Sequence, residues 1–207
     1  MSATGSRVRI RVNIEVAADA TWLIAGELDI EGALSGSGGL IKDGNGLMRL
    51  EEAGGGYSGI LTVRRGTVLF TADDPLGADA TLLLNGGQVD LNGHSALNNF
   101  SGVGTLAGGG SVSGKISPGS SAGAISLSAS TILSGIYEWE VAGQVDNQSG
   151  SAGSDWDLLQ ISGTATVLTL CRGGQNFLSS TSLYGGTWTL FSQTLKKLGI
   201  EVRFFDP

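Results

Sequence analysis

One short pattern, a glycine followed by apolar residues at alternate positions, returns along this chain at nearly constant spacing. It reads Gly26-Glu-Leu28-Asp-Ile30, Gly46-Leu-Met48-Arg-Leu50, Gly66-Thr-Val68-Leu-Phe70 and Gly87-Gln-Val89-Asp-Leu91. The step from each glycine to the next is about 20 residues, the length of one unit in a repeat protein. Looser echoes follow at Gly104-Thr-Leu106 and Gly123-Ala-Ile125-Ser-Leu127. Alternation of apolar and polar residues is the mark of a strand with one buried face. A strand of about five residues spans about 17 Å, so two or three strands with their corners fill a turn of about 20 residues. Repetition at that period predicts a solenoid in which strands stack in parallel, turn over turn. Glycine suits the corners because it accepts positive φ without a Cβ clash. The pairs Leu28/Ile30, Met48/Leu50, Val68/Phe70 and Val89/Leu91 are expected to point inward.

A sandwich or antiparallel barrel also shows short strands at regular spacing. Asp43-Gly44, Asn45-Gly46, Asn85-Gly86 and Asn92-Gly93 carry two-residue hairpin chemistry. A sandwich, however, does not require the same strand motif to return at a fixed period. The expected fold is therefore all-β: a right-handed parallel β-helix (β-solenoid) with a β-rich C-terminal capping region. The handedness follows the rule for parallel crossovers.

Three regions are expected. Residues 1–19 form an N-terminal strand or cap. There Val8, Ile10, Val12, Ile14 and Val16 alternate with Arg7, Arg9, Arg11, Asn13 and Glu15. The arginines read as a solvated face or a charged edge that resists pairing. Residues 20–130 hold the repeats. Residues 131–207 form an aromatic-richer region: nine of the 13 aromatics lie there, from Tyr137 to Phe204 and Phe205. Solenoids need their last turn covered, and this region is expected to do it. The only helix signal is Ser192–Leu198, ended by Gly199.

Composition excludes several classes. Hydrophobic residues make up 41% of the chain, enough for a core. A net charge of −7 argues against nucleic acid as a partner. No apolar run approaches the roughly 18 residues of a membrane-spanning helix. The N-terminal stretch Met1–Arg7 carries no apolar signal-peptide segment, so the chain either stays in the cytoplasm or is a piece of a longer exported one.

The stretch Gly39-Leu-Ile-Lys-Asp-Gly-Asn-Gly-Leu-Met-Arg-Leu50, then Gly56-Tyr-Ser-Gly59 and Thr62-Val-Arg-Arg-Gly-Thr-Val68, resembles the autotransporter-associated β-strand repeat. Leu84-Asn-Gly-Gly-Gln-Val-Asp-Leu-Asn-Gly93 and Ile116-Ser-Pro-Gly-Ser-Ser-Ala-Gly123 extend the likeness. Asp155-Trp-Asp-Leu-Leu-Gln-Ile-Ser-Gly163 is similar to the end region of such proteins. The resemblance is tight over 39–93 and loose over 26–190. It implies a passenger-type β-helix on a bacterial surface protein, located at the cell surface, associated with the outer membrane or secreted.

Motifs that carry chemistry lack their context. Gly54-Gly-Gly-Tyr-Ser-Gly59 has a dinucleotide-binding spacing but precedes a strand pattern, not a helix. Gly109–Lys115 nearly matches a phosphate loop, with Ile116 where a hydroxyl residue must hold Mg²⁺. Gly119-Ser-Ser-Ala-Gly123 places Ser121 in a nucleophile-elbow pattern without the strand–turn–helix around it. The single histidine, His94, lies in a turn, and the single cysteine, Cys171, in an apolar run. Among carboxylates, Asp73, Asp74 and Asp79 read as turn residues. Glu138 and Glu140 read as exposed. Asp155 and Asp157 share a strand face and are the candidates for a bound cation.

These readings predict no catalytic residue, no cofactor and no further metal site. The expected function is a structural solenoid segment for display or adhesion, without enzymatic activity. Host or cell-surface glycans or proteins are the expected partners. The chain is expected to be monomeric or part of a longer one. A carbohydrate-binding or polysaccharide-degrading β-helix is the alternative.

Overall fold

The computed structural model describes residues 6–119, 122–138, 154, 157–161, 165–166, 176–181, 188–197 and 199–205. The chain divides into two compact units, Met1–Thr166 and Val167–Pro207.

The first unit is a parallel β-solenoid of about six turns. Its first turn supplies β1 (Arg7–Ile10), β2 (Ile14–Glu15) and β3 (Ala20–Leu23). The second supplies β4 (Glu27–Ile30), β5 (Leu34–Gly36) and β6 (Leu40–Asp43). The third supplies β7 (Leu47–Leu50), β8 (Gly56–Tyr57) and β9 (Ile60–Val63). Then come β10 (Thr67–Phe70), β11 (Thr81–Asp90), β12 (Ser95–Ala96) and β13 (Asn99–Ala107). The series closes with β14 (Gly110–Val112), β15 (Ile116–Pro118), β16 (Ala124–Leu127), β17 (Thr131–Leu133), β18 (Leu158–Ile161) and β19 (Ala165–Thr166).

Every ladder between these strands is parallel, including all of those through 39–93. One stack runs β1-β4-β7-β10-β11-β13-β16-β18. A second runs β3-β6-β9 and on through the first halves of β11 and β13 to β15. The Asn-Gly pairs are corners within this winding, not hairpins. At Asn85-Gly86 the long strand β11 shifts register between Asn85 and Gln88, passing from one stack to the other. Asn92 and Gly93 both take positive φ, 50° and 84°, where the chain turns out of β11.

Register lines like residues up into ladders. Leu28, Met48, Val68, Val89, Leu106 and Leu127 stack in one. Leu40, Leu61, Leu82, Phe100 and Ile116 stack in another. All are buried except Leu28, which is half-buried beside the open first turn. The repeated glycine has a steric cause. A Cβ on Gly46 would strike the carbonyl of Gly26, and one on Gly66 would strike that of Gly46. Each turn lies on the glycine of the turn before.

The second unit is built differently. β20 (Asn176–Ser180) and β21 (Glu201–Phe205) pair in parallel, Asn176 against Glu201 through Ser180 against Phe205. The connection between them contains a helical stretch, 188–197, with a π turn at Leu190–Thr194. Gly199, at φ 75°, ends it, and its N–H donates to the Lys196 carbonyl at 3.1 Å. This agrees with the helix expected at Ser192–Leu198, Leu198 itself lying outside the described residues. Trp188 lies against Phe204 with ring centroids 4.4 Å apart.

Candidate functional site

The polar groups of the solenoid gather in a few places. On the outer face of the first turns, Arg7, Arg9 and Arg11 meet Glu27, Asp29 and Glu31 of the next turn. Arg7 is ion-paired with Asp29, and Arg9 reaches Asp29 at 3.4 Å. Arg11 reaches Glu31 at 3.0 Å. From the other side, Arg49 contacts Glu27 at 2.7 Å and Asp29 at 3.1 Å. Asp29 is fully buried between them. Burial alone would raise its pKa, but hydrogen bonds from Arg7 and Arg49 outweigh burial and hold the carboxyl below its ordinary value.

Lys42 is the second feature. It occupies an inward position of β6, in alternation with Leu40, and is fully buried. Its Nζ donates to the carbonyls of Gly44, Gly46 and Arg65, each at 2.6 Å. Three acceptors match the three donors of an ammonium. Burial lowers its pKa to about 8, with Asp43 acting the other way. The lysine thereby ties the glycine corners of two successive turns together.

The carboxylates singled out from the sequence also serve corners. Asp73 Oδ1 accepts the Ser95 N–H at 2.8 Å and lies 3.2 Å from His94 Nδ1. The Ser95 amide, then His94, holds the Asp73 carboxyl below its usual range. Asp74, at φ 48°, accepts the Leu97 N–H at 2.7 Å and the Ser95 hydroxyl at 3.3 Å. His94 is thus on a corner, as expected of a turn residue, but it is in contact with a carboxylate. The Ser95 hydroxyl bonds to Asp74 rather than to the imidazole, which is not the order a nucleophile–base–acid relay needs. Asp79 is exposed.

Of the cation candidates, Asp157 is buried, and its Oδ1 accepts the Gly123 N–H at 3.0 Å. Burial first, and Asp157 second, push the Tyr137 hydroxyl up to about 12. Asp155 lies outside the described residues, as do Glu140, Ser121 and Cys171. Glu138 pairs with Lys115 at 2.9 Å and accepts the Ser117 hydroxyl at 2.7 Å. Among the described residues, no three His, Cys, Asp or Glu side chains are grouped to hold a metal.

Concavities among the described residues lie in both units. A shallow groove of about 560 Å³ lies on the outer face of β3, β6 and β9. Ile41, Ile60 and Leu83 are among its apolar lining, and Thr21, Ser58 and Thr62 supply hydroxyls. In the second unit a cleft of about 510 Å³ is lined by Phe191, Lys196, Glu201 and Phe204 among others.

Sequence reasoning missed Asp29 and Lys42 as organising residues. Lys42 had a visible signal, since it takes an inward place in the alternation that begins at Leu40. Asp29 had none, because its partners Arg7 and Arg49 belong to neighbouring turns and are remote in sequence.

No family model and no solved structure matches the chain. Curated relatives do, over short stretches. O-acetyl-L-homoserine sulfhydrylase 1 of Thermus thermophilus is 58% identical over 38 residues, 18% of this chain and 9% of that protein. O-acetyl-L-homoserine sulfhydrylase of Leptospira meyeri is 48% identical over 40 residues, 19% of this chain and 9% of that protein. Homocysteine/cysteine synthase of Kluyveromyces lactis is 45% identical over 47 residues, 23% of this chain and 11% of that protein. The chain spans about a tenth of the length of these relatives. They are named as enzymes, and this corrects the expectation of a chain without enzymatic activity. That expectation rested on motifs and their immediate context, a test blind to a likeness carried by a short contiguous stretch.

Proposed function

We propose that the chain joins a structural solenoid to a segment of enzyme type. The solenoid extends or displays what is attached to it, as a stretch of an exported bacterial surface protein. The observation that carries this reading is the use of its buried ionic groups. Asp29 and Lys42 are engaged in bonds between successive turns. Such a stack is a rigid repeat whose stability comes from nearest-neighbour contacts. The resemblance of 39–93 to autotransporter repeats supports the exported setting.

The sulfhydrylase-like stretch belongs, in this reading, to the second unit. Val167–Pro207 is of the same length as the matched stretches, which run from 38 residues to 49 residues. Its strand–helix–strand build is that of α/β proteins and departs from the solenoid.

Two experiments test the halves separately. Antibody to the solenoid should label intact cells of the source organism; labelling only after lysis refutes display. Purified chain should be assayed for homocysteine formation from O-acetyl-L-homoserine, with and without residues 167–207. Turnover that survives their deletion refutes the assignment of the enzyme-like stretch to the second unit.

A further inference from the structure

The outer face of β3, β6, β9 and the first half of β11 carries the shallow groove. Its residues stand in three rows, one place per turn. Asp19, Gly39, Ile60 and Thr81 form the first row, and Thr21, Ile41, Thr62 and Leu83 the second. The third runs from Leu23 and Asp43 to Arg64 and Asn85. Gly39 leaves a notch in the first row, and Ile60, one turn on, stands 51% exposed beside it. The third row changes sign over the same step, from Asp43 to Arg64. Asp43 lies 3.6 Å from Arg65. Arg64 is exposed, and among the described residues no carboxylate pairs with it.

A surface that complements itself under a two-fold rotation makes an isologous contact, in which residue i meets j and j meets i. We propose that this face docks a second copy of the chain, about a two-fold axis running along the strands between β6 and β9. Rotation about that axis sets each row against the same row of the partner and exchanges the turns. Ile60 of each copy then enters the notch at the partner's Gly39. Ile41 covers the partner's Thr62, and Thr21 covers the partner's Leu83. Asp43 meets the partner's Arg64, and by symmetry Arg64 meets the partner's Asp43. Other axes lose this fit. An axis over β9 sets Arg64 against Arg64, and one over β6 sets Asp43 against Asp43, and like charges so placed are costly. An axis along the stack sets Ile60 against Arg64. The face spans four turns, about 19 Å, by about 13 Å of strand. Two copies bury roughly 500 Å² there, well under the roughly 1,200 Å² of a stable complex. The dimer is therefore weak, and notch and charge fix its register.

The test traps the pair by cross-linking the full chain, with Cys171 replaced by Ser. Thr21 and Leu83 lie in the outermost turns of the face. Across the axis Thr21 faces the partner's Leu83 at the roughly 10 Å separation of packed sheets, whereas like positions of the two copies lie about 17 Å apart. Thr21→Cys and Leu83→Cys chains are mixed and treated with a bis-maleimide that spans about 10 Å. The mixture should give about tenfold more cross-linked dimer than either chain alone. Arg64→Asp on both chains should lower that yield about tenfold. Pairing an Arg64→Asp chain with an Asp43→Arg chain restores both ion pairs and should restore the yield. Far-UV circular dichroism checks that each variant keeps the solenoid. Arg64→Asp removes no described contact, so it carries the test alone where Asp43→Arg disturbs its corner. Equal yields from mixed and single chains, a yield that Arg64→Asp leaves unchanged, or no cross-linking at about 1 mM chain overturns the proposal.

Discussion

Both units pair their strands in parallel, yet they return the chain by different routes. In the solenoid, Arg7 pairs with Glu27 and Glu27 with Leu47, equal steps made by glycine corners and further short strands. In the second unit, Asn176 pairs with Glu201, a somewhat longer step made through a helical stretch. Parallel strands require a long crossover in either case. A corner route lets each turn reuse the same contacts, so one glycine, one ladder and one buried lysine serve neighbouring turns. A helical route brings Trp188 of the connection against Phe204 of β21.

The largest effect expected is from Phe70→Ala. Phe70 is fully buried and continues the ladder of Ile30 and Leu50. Its truncation should cost about 3–5 kcal/mol in a denaturant titration followed by far-UV circular dichroism. A loss below about 1 kcal/mol would mean that the ladder is wrongly registered.

Lys42→Met comes next. It leaves the carbonyls of Gly44, Gly46 and Arg65 without their buried donor, at a cost of about 3 kcal/mol. The pH dependence has a definite sign. Lys42 has a folded pKa of about 8, below the unfolded value near 10.5. Its proton is held less tightly in the folded state, so its contribution is unfavourable below pH 8 and is relieved as pH rises to about 10.5. Over that window the wild-type chain should gain stability relative to Lys42→Met. A widening gap in the opposite direction would show that the ammonium is held more tightly than burial allows.

Asp29→Asn should cost about 2 kcal/mol near neutral pH. Its folded pKa is depressed, so its stabilisation is present above the unfolded carboxylate value and is lost as pH falls through the folded one. Unfolding midpoints of wild type and variant should converge below about pH 4. Parallel curves down to acid pH would remove Asp29 from the account.

Phe204→Ala gives the smallest effect, about 1 kcal/mol from the lost ring contact with Trp188. Tryptophan fluorescence should register it. A loss well above about 1 kcal/mol would contradict a contribution limited to that ring contact.

The solenoid is legible because its cause is local and repeated. A glycine that lies on the carbonyl of the glycine one turn earlier cannot carry a Cβ, so it recurs at the length of a turn. Hairpin and corner chemistry look alike at Asn85-Gly86 and Asn92-Gly93, and only the period separates them. Alternation places Leu28 inside, yet it is half-buried, because burial depends on a neighbouring turn as well as on alternation. Asp29 has the place of an outward residue and is buried, since the arginines covering it come from turns above and below. In the second unit the helix ending at Gly199 is readable from capping chemistry. The parallel pairing of β20 with β21 is not, because a single strand pair has no repeat to announce it. The likeness to sulfhydrylases is invisible to any search for paired catalytic groups.

The central claim is an in-register parallel stack, and spin-label distances test it most directly. Thr21, Leu83, Ser101 and Ser117 lie in one row, with Ile41 and Thr62 between the first two. With Cys171 replaced by Ser, labels at Thr21 and each of the other three should be measured by pulsed electron resonance. Three, four and five turns predict separations of about 14, about 19 and about 24 Å, rising by about 4.8 Å per turn. Distances that fail to rise in that order would contradict the parallel stack.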